Sequence, residues 1–207
     1  MSTNSSNLIR HKKLSVGVLL ELKKVFEEFS LFQKKSELAC PSGCGKCCFK
    51  SDIFCTPIEL LPMALSLYER GEAVEVYELC KSHSADHCMF MKISDRASGK
   101  GMCTEYEFRP LVCRTFGVAG RHDKNNKINF SVCTTLKEIY PSNYDKLLSG
   151  NRNENEIAFI DDSKSKLSNF DPAFLEEEHP INESLAIMLE KILFLDSLDS
   201  SSDNSNT

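Results

Sequence analysis

All ten cysteines of this 207-residue chain fall between Cys40 and Cys133, and the residues on either side contain none. No other feature constrains the fold as much, because ten thiols confined to 94 residues are not explained by scattered buried thiols alone, so most of them pair with each other or converge on something they bind. Disulfides persist in oxidising compartments, and an exported chain carries an export signal. Here Met1–Lys13 has no apolar stretch after a basic start, and Leu14–Leu22 is interrupted by Glu21. No run reaches the ~18 apolar residues of a membrane span. The expected location is therefore the cytoplasm, where thiols stay reduced. A dense cysteine cluster there reads as a metal site before it reads as a disulfide framework.

Composition limits the remaining choices. Hydrophobic residues make up 41% of the chain, enough for a core, and mean hydropathy is -0.28. The net charge of -5 conceals a gradient: +3 over residues 1–39, +1 over 40–133 and -9 over 134–207. Nothing is basic enough to make nucleic acid the leading partner. Within the middle block, residues 88–133 hold eight basic against four acidic side chains. Thiolates around a divalent ion form an anionic centre that such charges could offset, although ordinary surface variation gives the same excess.

Periodicity organises the flanks. Leu14, Val18, Leu22, Val25, Phe26, Phe29 and Phe32 recur at helical spacing and predict an amphipathic helix over 14–36 after a disordered start, its stripe packing against the cysteine region or, secondarily, a second copy. Thr56-Pro57-Ile58-Glu59 has the form of a capping box opening a helix to about Arg70, with Pro62 a potential kink and Gly71 the stop. A second helix follows over 72–83. Two β-hairpins are expected, one from Cys88 to Cys103 around Asp95–Gly101, and one from Phe116 to Cys133 around Asp123–Asn126. Arg109–Arg114 reads as a turn into a short helix, and 134–149 as helical. A polar linker over 150–165 and an apolar helix over 181–195 complete the pattern, before a polar, disordered tail over 197–207. The fold class is thus α+β: a small cysteine-rich domain over 38–135, preceded by residues 1–37 and followed by a helical extension over 136–196.

The chemistry concentrates in Cys40-x3-Cys44-x2-Cys47-Cys48, where glycines allow the tight turns that bring several sulfurs to one point. Cys88, Cys103, Cys113 and Cys133 follow, each at the edge of an expected strand or turn. Thiolates hold Zn²⁺ tetrahedrally and also hold iron–sulfur clusters. Eight sulfurs suit two four-ligand sites or one polynuclear site. Cys80 sits among apolar neighbours and reads as a packed thiol; Cys55 reads equally as packed or as an extra ligand. The histidines His11, His83, His87, His122 and His179 are dispersed, and only His87 is placed to assist.

A second pattern, Cys103-x2-Tyr106-x2-Arg109-Pro110-x2-Cys113-Arg114, sharpens the reading. Taken with the first, it resembles the YkgJ-type cysteine-cluster family named for its CxxCxxCC signature and described as a zinc- or iron-chelating domain. The resemblance runs from Cys40 to about Cys133. It implies that the metal ligands are Cys40, Cys44, Cys47, Cys48, Cys88, Cys103, Cys113 and Cys133, with zinc or iron, including a [4Fe-4S] cluster, as the cofactor. It carries no assigned reaction, and no catalytic residue, substrate or partner, protein or small molecule, is assigned here. Tyr106 reads as a packed aromatic. Arg109 and Arg114 could donate to sulfurs or an anion, but a structural role is favoured, with Arg109 capping a turn and Arg114 paired to Glu105 or Glu107.

Enzyme readings remain as alternatives. Cys40-x3-Cys44-x2-Cys47 has the spacing of a radical SAM loop, but Lys46 replaces the usual aromatic and the remaining chain lacks the strand–helix alternation of a barrel. Flagellin lysine N-methylases resemble the cysteine region, yet they are longer and no glycine-rich nucleotide loop is present here. Cys44-x2-Cys47 also has the spacing of a thiol redox pair, without the strand–helix context such pairs use.

Overall fold

A computed structural model describes residues 5–50, 53–82, 87–150 and 153–203. Among the histidines weighed above, His83 lies outside them. The chain is α+β, with long helices at both ends and short antiparallel strand pairs between them. Among the described residues no helix is long and apolar enough to cross a membrane.

The first helix, α1, spans Ser5–Ser36. It begins well before residue 14, because Leu8 extends the apolar stripe and packs with Leu14 against the core. Val18, Leu22, Val25, Phe29 and Phe32 are buried, so this stripe faces the body of the protein. At Thr56 the capping box forms: Glu59 Oε1 accepts from Thr56 N at 2.9 Å and from Thr56 Oγ1 at 3.1 Å. It opens a 3₁₀ turn over Pro57–Leu60, and α2 continues over Leu61–Glu69. Pro62 therefore lies in the first turn of α2, where its missing N–H has no intrahelical partner to lose. Leu61, Met63, Ala64, Leu65 and Leu67 are all buried because α2 runs between α1 and the C-terminal helix. Gly71, at φ +75°, ends the turn in the left-handed region. Helix α3 covers Ala73–Ser82.

Short strands carry the middle of the chain. Phe54–Cys55 forms β1. Strands β2 (Met91–Asp95) and β3 (Lys100–Cys103) form the first hairpin, with Met91 opposite Cys103. A short helix α4, Leu111–Thr115, leads to the second hairpin, β4 (Val118–His122) with β5 (Ile128–Val132). Its turn is closed by Asp123 Oδ1, which accepts from Asn125 N at 2.8 Å and Lys127 N at 2.9 Å, with Asn126 at φ 59°.

The later segments depart from the sequence reading. The helix expected over 134–149 is broken into α5 (Thr134–Ile139) and α6 (Pro141–Ser149). Pro141 disfavours helical backbone at Tyr140, which sits at φ -125°, ψ 55°. The segment 150–165 is no polar linker. Ile157, Ala158 and Phe159 are buried, and Ala158 O accepts from Gly120 N of β4 at 2.9 Å. Phe159 stacks on His122 at 4.2 Å and precedes a helix missed in sequence, α7, over Ile160–Phe170. Strand β6, His179–Pro180, pairs with β1.

The last helix, α8, runs from Ile181 to Asp203, past the expected end at 195 and into the expected tail. Tyr68 Oη, donating to Asp196 at 2.5 Å, fastens that extension to α2. Leu185, Met188, Leu189 and Ile192 of α8 join Val18–Phe32 of α1 in one continuous core, which also takes in Leu111, Val118 and Leu136 from the cysteine region.

Candidate metal centre

Backbone hydrogen bonds, rather than side chains, hold the first cysteine segment in place. Gly43 adopts φ +74°, which an L side chain rarely does, and the chain folds back so that Cys44 N donates to Pro41 O at 3.1 Å. The segment then lies on the first hairpin: Gly45 N donates to Gly99 O at 3.0 Å and Gly101 N to Gly43 O at 3.1 Å. The approach is close enough that a Cβ on Gly45 would meet Gly101 N at 3.2 Å. Cys47 and Cys48 then fall in a 3₁₀ turn over Lys46–Phe49.

The downstream cysteines come to this segment from three directions. Cys88 N donates to Cys48 O at 3.0 Å, and Cys103 ends β3. Cys113 rides on α4, whose first N–H, that of Leu111, donates to Glu59 Oε2 at 2.6 Å. Cys133 follows β5, its N–H donating to Gly117 O at 2.7 Å. The result is a cavity of about 390 Å³ whose wall includes all eight of Cys40, Cys44, Cys47, Cys48, Cys88, Cys103, Cys113 and Cys133. Phe26 and Gln33 of α1 and Ile181 of α8 also line it, which the sequence motifs gave no means of seeing. Among the described residues, the lining holds Lys46, Arg109 and Arg114 but no aspartate, glutamate or histidine. A larger cavity of about 640 Å³ shares Cys47 and Cys133 with it.

Cys55 and Cys80 stay outside this lining. Cys55 is buried in the core, and Cys80 donates to Met89 Sδ at 3.2 Å. His87 also lies outside it, its ring 6.2 Å from that of Phe49. All ten cysteines are free thiols.

Electrostatics divide the thiols. Burial pushes Cys88 up to about 11 and, with the neighbouring Cys44, Cys40 up to about 12; Cys113 is also raised, by burial and then by Cys88 and Cys47. Cys47 moves the other way, to about 7, because the Cys48 thiol 3.9 Å away donates to it, and Cys48 is raised correspondingly. A cavity that resists thiolates in this way is suited to a cation that neutralises them. The sulfurs are gathered but not closed up: among the described residues, no three His, Cys, Asp or Glu side chains are close enough together to hold a metal ion. The donor set nevertheless fits zinc or iron, which favour sulfur, and not calcium or magnesium, which need oxygen ligands.

The two arginines differ in role. Arg114 is buried, and its Nε donates to Arg109 O at 2.6 Å while Nη2 donates to Glu107 O, so it closes the Glu107–Arg109 loop through backbone carbonyls. The carboxylates expected to pair with it are engaged elsewhere, Glu107 with Lys23 at 2.7 Å and Glu105 with Arg70 at 3.0 Å. Arg109 lies over the ring of Tyr106, 3.5 Å from its centroid, and its buried Nε has no hydrogen-bond partner.

Residues 39–134 match the model of the CxxCxxCC family, described as "Putative zinc- or iron-chelating domain". That segment is just under half of the chain and contains all ten cysteines. No curated protein and no solved structure matches the chain.

Proposed function

We propose that the chain is a metal-binding protein, holding zinc or an iron–sulfur cluster through Cys40, Cys44, Cys47, Cys48, Cys88, Cys103, Cys113 and Cys133, within a domain spanning about 38–135. One observation carries the reading: eight cysteines from five separate segments line one cavity that, among the described residues, has no carboxylate or imidazole to compete with them. Bound metal would neutralise the thiolates and cross-link the segments that carry them, contributing folding energy directly. The chain's own residues supply the rest. The Gly43–Gly45 turn presents the first four sulfurs on the β2–β3 hairpin. Glu59 and Arg114 fix α4 and the loop before it, and so the backbone of Cys113. Lys46 and Arg109 bring positive charge to what would be an anionic centre. The reduced thiols such a site needs fit a cytoplasmic location.

The test is anaerobic purification under reducing conditions, followed by metal analysis and absorbance. Stoichiometric zinc in a colourless protein, or iron with labile sulfide and broad absorbance near ~400 nm, supports the reading and names the metal. Replacement of Cys44 and Cys113 by Ser should abolish uptake. A wild-type chain that takes up neither metal, or a doubly substituted chain that retains its full content, refutes it.

A further inference from the structure

We infer that Arg109 is a positioning residue of the metal site, its Nε–H donating to a metal-bound cysteine thiolate; this rests on the proposed thiolate–metal reading and adds a named group outside the ligand set. Arg109 Nε is the only buried side-chain nitrogen or oxygen without a hydrogen-bond partner among the described residues. Buried donors are nearly always satisfied, so one left open in a native fold calls for a missing acceptor. Arg109 is part of the cavity wall formed by the eight cysteines, where no side-chain carboxylate is found among the described residues. The Arg109 charge acts on the thiols of Cys47, Cys103 and Cys113, favouring the thiolate of each. A thiol accepts a hydrogen bond weakly, and a thiolate accepts one strongly.

The residue is also held ready. Its carbonyl accepts from Arg114 Nε at 2.6 Å, which pins the backbone. Its guanidinium lies 3.5 Å from the Tyr106 ring centroid and 5.7 Å from that of Phe26, which fixes the plane. A flexible lysine in this place would bring a charge without a planar, pre-aimed donor halfway along the stem. Partners that orient metal ligands in this way typically contribute about 10–100-fold to metal affinity.

The inference separates from simple packing by the sign of its effect with and without metal. The probe is zinc, where cysteine thiolates are the only sulfur anions present. The full chain, R109M and R109K are titrated with zinc against a chromophoric chelator, and each is melted with zinc and with excess chelator. R109M is expected to lose about 10–100-fold in zinc affinity while melting no lower than wild type without metal, because it removes an unsatisfied donor. R109K is expected to fall between the two. In the cobalt-substituted chains, the thiolate-to-metal absorption should shift in R109M. R109M binding zinc within about twofold of wild type overturns the inference, since it removes the whole 10–100-fold contribution; so does equal loss of stability with and without zinc. Full rescue by R109K reduces the role to charge and also overturns it. Should R109M fail to fold, unaltered zinc affinity in R109K is the overturning result. A wild-type chain that takes up neither zinc nor iron defeats the underlying reading instead, a visibly different outcome; in a chain that takes up iron alone, the same comparison is read on iron content and cluster absorbance, and R109M matching wild type in both overturns the inference.

Discussion

Glu59 offers the most demanding test of how the cysteine region is held together. Its carboxylate is 5% exposed and has three donors: Thr56 N and Thr56 Oγ1 on one oxygen, Leu111 N on the other. It thereby joins the cap of the turn before α2 to the start of α4. Replacement by Ala leaves two backbone N–H groups without acceptors, at about 1–3 kcal/mol each, or about 2–6 kcal/mol. That is a large part of the ~5–15 kcal/mol that keeps a domain folded. Replacement by Gln preserves shape but offers one acceptor oxygen, so one of the two N–H groups faces an amide NH₂, at about 1–3 kcal/mol. Burial raises the Glu59 pKa above the usual carboxylate range, so the folded state holds this proton more tightly than the unfolded state. Its contribution to stability is complete below about pH 4.5 and is lost as pH rises through the folded value. The stability difference between wild type and E59Q should therefore narrow from pH 5 to pH 8, since the other titrations cancel in the comparison. Urea unfolding at three pH values measures it. A gap that widens with pH would refute the reasoning, as would E59Q matching wild type throughout.

Other expectations follow from the same geometry. Gly101→Ala should strain the β2–β3 hairpin on which the cysteine segment lies and cost about 1–3 kcal/mol, because a Cβ there meets Lys92 O of the paired strand at 2.8 Å; urea unfolding reads the loss. Phe29→Ala should cost about 3–5 kcal/mol, as the ring is fully buried where α1 meets the core, and should lower the melting temperature accordingly. Tyr68→Phe should cost about 0.5–1.5 kcal/mol by removing the bond to Asp196, with amide exchange rising in the last turns of α8. Stripping metal with a chelator should lower the melting temperature, and re-adding zinc or iron should restore it.

Local features were legible in the sequence where cause and effect lie within a turn or two. The Thr56–Glu59 box and the stripe from Leu14 to Phe32 are of this kind, and both form. Glu59's other oxygen was not legible, because its donor, Leu111, is 52 residues away. Nor was the fate of Ile157-Ala158-Phe159, a run too short to announce burial amid polar neighbours. The signal present there was the acidic pair Asp161–Asp162, which suits the first turn of α7. The eight cysteines were named as a set by the family resemblance, spacing alone leaving Cys55 open, whereas the helices that wall them in were not legible, since nothing in Phe26, Gln33 or Ile181 distinguishes a cavity residue from a core residue. Arg114 shows the limit for charged groups. Its nearest acids in sequence are taken by Lys23 and Arg70, and it satisfies itself on carbonyls.

The cavity wall draws on α1, which precedes the cysteines in the chain, and on Ile181 at the head of α8, which follows all of them. Chain growth at about 5–20 residues per second puts about 7–28 seconds between the appearance of Cys40 and that of Ile181. Through that interval the thiols leave the ribosome with their enclosure incomplete. They are open then to oxidation or to the wrong metal, so the reducing environment and the metal supply of the surrounding cell act on a nascent protein before they act on a folded one.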